Sequence, residues 1–276
     1  MLYKDGHQMN AGKVETDSRS SQLPNSTPTL SVEGTCATIT LNRPSVHNRI
    51  EPDDVRVLGE LLLQAGDNRD ARVLVLRAHG KSFSSGYHIG ALEQAERNID
   101  HLALSRLIDR LETLRLPTIC ALNGSVFGAG ADLALACDFR IGVTGMKLRI
   151  PAGRLALHYA FGGLKRFVSR LGPAASKSIF LLAREIEAND LLGIGYLHQL
   201  VPSAELDRTV DQLASALSEL APLAIQGMKA TINDIAAGVA NPDKGNADFL
   251  ASLRSQDAAE AIQAWRDKRK PQFIGK

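Results

Sequence analysis

The chain has 276 residues, 44% hydrophobic and 22% charged, an ordinary globular composition with enough apolar mass for one large core. A net charge of +2 excludes a general electrostatic role on nucleic acid or an anionic membrane surface. The opening MLYKDGHQMN lacks the apolar run of a secretory signal, and no uninterrupted apolar stretch of about 18 residues occurs, so no membrane span is expected and the cytoplasm is the default location.

Residues 1–27 are polar and aperiodic and read as a tail. LSVEG and TCATITLN are two β-rich runs joined at Glu33 and Gly34, which predicts a hairpin. Pro52, Asp53 and Asp54 open a helix with Val55, Leu58, Leu61, Leu62 and Ala65 at helical spacing. ARVLVLRA, residues 71–78, is a continuous apolar strand that ends in the glycine-bearing loop HGKSFSSGY. A second helix carries Leu104, Leu107, Ile108, Leu111 and Leu114 on one face and stops before Pro117. Strand TICALN, a glycine turn, the small-residue helix GAGADLALA and strand DFRIGVT follow. Beyond about residue 202 only helical patterns are read, at 203–220, 222–238 and 257–269.

Recurring strand, helix and glycine turn predict an α/β layered fold with largely parallel strands, whose ligands bind where strands end. The division is a tail at 1–27, an α/β core at 28–201 and a helical region at 202–276. The seven histidines do not fall at metal-ligand spacings, so no metal site is expected. Cys36, Cys120 and Cys137 lie in apolar runs without a CxxC and read as buried thiols.

The two glycine loops carry the chemistry. FSSGY, 83–87, follows a strand; NGSVFGAGAD, 123–132, opens a helix with side chains small enough for a substrate to approach the backbone. A thioester carbonyl that becomes an enolate or tetrahedral adduct needs two preorganised N–H donors, and a strand-end loop with a helix N-terminus can supply them. Taken singly, each loop is equally well a plain turn.

Taken together, the motifs resemble the crotonase (enoyl-CoA hydratase/isomerase) superfamily from about Ser31 to Lys276. LNRP (41–44) with Asn48 is similar to the family's opening, and GKSFSSGYHI (80–89) to its GKAFCAGADL-type first oxyanion loop. RLPTICALNGSVFGAGADLALACDFRIG (115–142) is similar to the stretch KPVIAAVNGxAxGGGxELALACDxRIA that carries the second. The segment from Pro151 to Gly162 and Gly163, LLAREIEANDLLGIGYLHQLV, and the closing AWRDKRKPQF also match.

The resemblance implies a spiral of ββα units with a C-terminal helical trimerisation region, an acyl-CoA thioester as substrate, no separate cofactor, and a homotrimer or dimer of trimers. It implies that the oxyanion donors are the backbone N–H groups of Tyr87 and Ala129, the latter flanked by Gly128 and Gly130. It places Val46 and Ser85 near the nucleotide portion of CoA. Trp265 and Lys268 fall at its adenine end, often reached from a neighbouring subunit.

The chain departs from a hydratase at the acids. The family's first glutamate position is Asp132, and the second is Ala152, which can neither orient water nor move a proton. His88 stands where an aspartate is usual, and RLALHYAFGG (154–163) offers His158 and Tyr159 instead. Orthodox hydration is therefore doubtful, and a decarboxylase, hydrolase, C–C lyase or non-catalytic CoA-ester binder of the same fold is the alternative. GAGADL begins like GxGxxG but has Leu133 for the third glycine, and no GxSxG nucleophile elbow is present.

Overall fold

A computed structural model describes residues 26–90, 100 and 102–276; of the 1–27 segment, residues 1–25 lie outside the described residues. β1 (Thr29–Glu33) and β2 (Cys36–Leu41) form the antiparallel hairpin, turned by Gly34 at φ +57°. α1 (Pro52–Asp67) starts with proline in its first turn and a reciprocal capping box between Glu51 and Asp54, and buries Leu58, Leu62 and Ala65. β3 (Val73–Ala78), α2 (Ala103–Glu112), β4 (Thr118–Leu122), the short β5 (Val126–Phe127), α3 (Ala129–Ala136) and β6 (Phe139–Val143) follow.

The main sheet has the order β1-β2-β3-β4-β6-β9, with every pair from β2 to β9 (Gln199–Val201) parallel. β4 is buried along its whole length, as befits a parallel strand covered on both faces. Because β3 and β4 are parallel neighbours, the loops that leave their carboxyl ends, 79–87 and 123–128, emerge on the same edge. β5 pairs with β7 (Lys147–Arg149), and β7 with β8 (Ile186–Glu187), in a separate small sheet beside these loops. α4 (Phe161–Leu182) breaks at Gly172, φ +77°, before Pro173, which cannot donate to the helix ladder.

After α5 (Ala188–Gly193) and β9, α6 (Leu206–Ser218) buries Leu206, Val210 and Ala214 and contacts β3, β4 and β6, so the first helix beyond residue 202 forms a layer of the core. α7 (Pro222–Ala237) is tied to that core by Lys229, whose Nζ donates to Leu116 O and pairs with Asp138 Oδ2, each at 2.7 Å. α8 (Pro242–Leu253) has no counterpart among the sequence-derived helices; Asn241 caps it by accepting from the amides of Asp243 and Lys244. α9 (Gln256–Asp267) completes the chain, and its buried Asp257 accepts from the amides of Ile274 and Gly275. Met228, Ile232, Phe249 and Leu253 leave an exposed apolar face on α7 and α8. Among the described residues no helix is long and apolar enough to cross a membrane.

One side chain joins the region before α1 to the site loops. Asn48 is 2% exposed and sits in the left-handed region at φ +51°, which asparagine tolerates better than most residues. Its Oδ1 accepts from Arg43 N at 2.9 Å, and its Nδ2 donates to His79 O at 2.7 Å and Ser82 O at 2.9 Å. Asn48→Ala strands these buried groups and strains the backbone. It should lower unfolding free energy by about 3 kcal/mol in urea titration; an unchanged midpoint would show that the loops hold without it.

Candidate active site

The two glycine loops are laced together through their backbones. Ser84 bridges Val126 in parallel fashion, with Phe83 N donating to Ser125 O at 3.1 Å and Phe127 N to Ser84 O at 2.9 Å. On the other side Ile50 bridges Tyr87, through Ile50 N to Gly86 O at 2.9 Å and His88 N to Ile50 O at 3.0 Å. Such a bridge uses the neighbours of Tyr87 and leaves its own N–H facing away from Ile50. Gly86 has φ +91°, and a Cβ there would lie 2.8 Å from Phe127 O and 3.3 Å from Ala129 N. Only glycine permits that approach, which sets the residue before Tyr87 against the N-terminus of α3.

Ala129 is the first residue of α3, so its N–H belongs to the helix's unpaired first turn, where the dipole favours negative charge. Neither N–H is spent on the turns and bridges around it. A Cβ on Gly130 would collide with the Ser84 side chain at 2.7 Å, so Gly130 serves the packing of the two loops and does not line the cleft.

Both donors open onto a cleft of about 200 Å³. Leu104 and Ile108 of α2, with Ile150, Leu155 and Leu157, form apolar walls; Ala152 and Pro151 lie on the same lining. Asp132, His158 and Tyr159 bring the polar groups, so the structure gathers Tyr87, Gly128, Ala129, Asp132, His158 and Tyr159 around one space. Ser85 stands at its edge, its Oγ donating to Val46 O at 3.2 Å, which keeps Val46 beside the first loop. Trp265, 80% exposed, and Lys268, at the left-handed end of α9, do not line the cleft of their own chain.

The three polar side chains differ in what they leave free. Asp132 is 3% exposed, and its Oδ1 accepts from Arg166 Nη1 at 2.5 Å. Burial raises its pKa above the usual carboxylate range, against the opposing pull of the Arg166 charge and hydrogen bond. His158 Nδ1 lies 2.8 Å from Tyr159 O; a carbonyl only accepts, so Nδ1 is the donor, and in the neutral imidazole Nε2 is the acceptor. Tyr159 packs on Phe180 at 4.9 Å between ring centroids and donates weakly to Gly128 O at 3.3 Å. Burial, reinforced by the Asp132 charge, pushes its phenol well above the ordinary value, so it is a neutral donor.

His88, beside Tyr87, turns elsewhere: its Nδ1 is 2.7 Å from Glu51 Oε2, and Arg49 Nε also donates to Glu51. Burial opposes the Glu51 charge, but the bonds from Arg49 and His88 prevail and hold its carboxyl below the usual range. This pair braces the first loop against the N-terminus of α1. The residue that sequence reasoning missed is Arg166, 1% exposed, which also lies 2.6 Å from Asp109 Oδ1. Its Nε is 3.1 Å from Glu112 Oε2 but out of line for a hydrogen bond. The available signal was a pair of arginines, Arg166 and Arg170, one helical turn apart beside the buried Gly163 and Phe167.

Residues 31–276 match the family model described as enoyl-CoA hydratase/isomerase. A putative enoyl-CoA hydratase/isomerase of Bacillus subtilis is 30% identical over 250 residues, which cover 87% of this chain and 94% of that protein. The short-chain-enoyl-CoA hydratase of Clostridium acetobutylicum is 28% identical over 251 residues, covering 87% and 95%. The crystal structure of an enoyl-CoA hydratase/carnithine racemase from Magnetospirillum magneticum superposes with a TM-score of 0.86 at 28% identity, over 91% of this chain and 96% of that one. With the laced loops and their paired amides, these likenesses place the chain in the enoyl-CoA hydratase/isomerase family of acyl-CoA enzymes, within the crotonase superfamily.

Proposed function

We propose that the protein binds an acyl-CoA thioester with its carbonyl oxygen between the N–H groups of Tyr87 and Ala129, and catalyses an enolate- or oxyanion-forming reaction other than orthodox hydration. The observation that carries this reading is the cleft itself: two unspent amides at its base, apolar walls above, and the methyl group of Ala152 on its lining. Donors fixed before reaction stabilise the developing oxyanion, each worth roughly 3–4 kcal/mol of barrier. CoA enters as part of the substrate, with no separate cofactor required.

Hydration by this family relies on two carboxylates to hold and activate one water. Here Ala152 cannot take part, and Asp132 has one oxygen committed to Arg166. In the neutral imidazole, His158 Nε2 is a proton acceptor on the cleft, beside the neutral Tyr159 phenol. A decarboxylation, a C–C cleavage or a thioester hydrolysis needs one such group, or only the oxyanion hole.

Purified protein should hydrate crotonyl-CoA slowly, and Ala152→Glu should raise that rate at least about tenfold, since an acid/base group is typically worth about 10²–10⁴. Efficient hydration by the unmodified chain, followed spectrophotometrically, would refute the reading.

A mass-spectrometric screen of CoA thioesters should find a substrate whose turnover falls about 10²–10⁴-fold in His158→Ala. Unchanged turnover would remove His158 from the chemistry, and saturable binding without turnover of any thioester would favour a CoA-ester-binding role.

The exposed apolar face of α7 and α8 supports assembly into a homotrimer or dimer of trimers, in which α9 of one chain could bring Trp265 and Lys268 to a neighbour's CoA. Light scattering should then give at least three times the 29.7 kDa chain mass; a stable monomer at micromolar concentration would refute it.

A further inference from the structure

Asp132 occupies the first turn of α3, where the helix dipole favours a carboxylate, yet it is almost wholly buried. The group that opposes burial is Arg166, and Arg166 is not held by Asp132 alone. Its Nη1 faces Asp132 Oδ1, its Nη2 faces Asp109 Oδ1 and its Nε faces Glu112, which Arg170 Nη2 also reaches at 3.0 Å. A planar guanidinium hydrogen-bonded through both Nη atoms, with the Glu112 carboxylate beside its Nε, is held in one orientation and so fixes the position of Oδ1. Oδ2 has no hydrogen-bond donor among the described residues, although Asp132 lines the cleft. A Cβ on Gly163 would collide with Tyr159 Cε1 and meet Oδ2 at 2.7 Å, so glycine at that place lets α4 pack against both residues.

We propose that Arg166 is a positioning residue, which holds Asp132 as a fixed anion with Oδ1 bound and Oδ2 turned to the cleft, and that Asp109 on the outer side of the same guanidinium tunes it. The inference rests on the reading of this cleft as the reacting site. The groups that face Asp132 are few. Arg166 comes from α4, with Arg170 acting through Glu112; Asp109 and Glu112 come from α2. Tyr159 and Tyr196 complete the ring, and burial raises both phenols well above their ordinary value, so they stay neutral. Burial, Glu112 and Asp109 all disfavour the Asp132 anion, and Arg166 alone among these groups favours it strongly.

A plain bracing role for the cluster, joining α2, α3 and α4, predicts a loss of stability with no change in how Asp132 titrates. Removing one partner of a buried ion pair is costly in itself, so Arg166→Gln can fail to fold and is uninformative alone. Asp109→Asn avoids this, because that side chain is 49% exposed and the amide keeps its size.

The infrared carboxyl band of Asp132, assigned by its loss in Asp132→Asn, tests the proposal on the intact protein, and α-proton exchange of butyryl-CoA in deuterated water tests the enolate reading on which it rests. In the unmodified protein the band should be that of a carboxylate at neutral pH. Asp109→Asn should move its titration about half to one pH unit lower; Arg166→Lys, which keeps the charge but loses the fork, should move it higher. A protonated band at neutral pH, or positions unmoved in both variants, would overturn the proposal. Absence of butyryl-CoA exchange in the unmodified protein counts against the enolate reading instead, and the infrared band, which needs no substrate, still decides the role of Arg166.

Discussion

The site depends on one close backbone approach. Parallel pairing of β3 with β4 delivers both strand-end loops to one edge of the sheet, and the bridge between Ser84 and Val126 continues that pairing beyond the strands. Gly86 then lies so near Phe127 O and Ala129 N that any side chain would force the loops apart. Everything chemical in the cleft is referred to this contact, because it fixes two amides relative to each other with no flexible side chain between them. Asn48 and the pair of Glu51 and His88 secure the first loop from outside, and Gly130 against Ser84 secures the second.

The polar groups of the cleft are set by a different force, the cost of burying charge. Asp132 is tolerated in the interior because Arg166 accompanies it, and Arg166 because Asp109 and Glu112 share it. This leaves a carboxylate that is anchored, where water activation needs one free to exchange protons. His158 ends the exposed segment 153–158, where its Nδ1 proton is committed to a carbonyl and its Nε2 is not. The cleft thus separates a rigid anionic wall from an accessible imidazole.

How far this could be read from the sequence depended on the range of the interactions. The hairpin at Gly34, α1, β3, β4 and α3 were legible because periodicity and turn residues are local signals, and the glycine loops because their family-like spacing is contiguous. α8 was hidden by its first turn, Pro-Asp-Lys-Gly-Asn, which has turn composition and weak periodicity even though Asn241 caps it. β5, β7 and β8 are two or three residues long, too short for alternation to register. The Arg166 cluster joins positions 109, 112, 132 and 166, a convergence that no spacing rule announces. Its consequence, an Asp132 tied to a guanidinium, separates the two roles that the sequence left side by side.

The division between backbone and side-chain chemistry explains how one scaffold can keep its substrate class while its reaction changes. An N–H donor survives every substitution except proline, so alanine at 129 keeps the donor that a glycine would offer there. The loops demand small residues where they touch, at Gly86, Gly124 and Gly130, which leaves the side chains at 132, 152 and 158 outside those contacts. Those positions decide where protons can go. In the proposed reading, Ala152 in place of a carboxylate removes one proton path and leaves the two amides of Tyr87 and Ala129 where they are. The other acid position carries Asp132, whose carboxylate is bonded to Arg166. In that reading carbonyl recognition and proton traffic are separable, because the first is built from strand ends and the second from side chains on other segments.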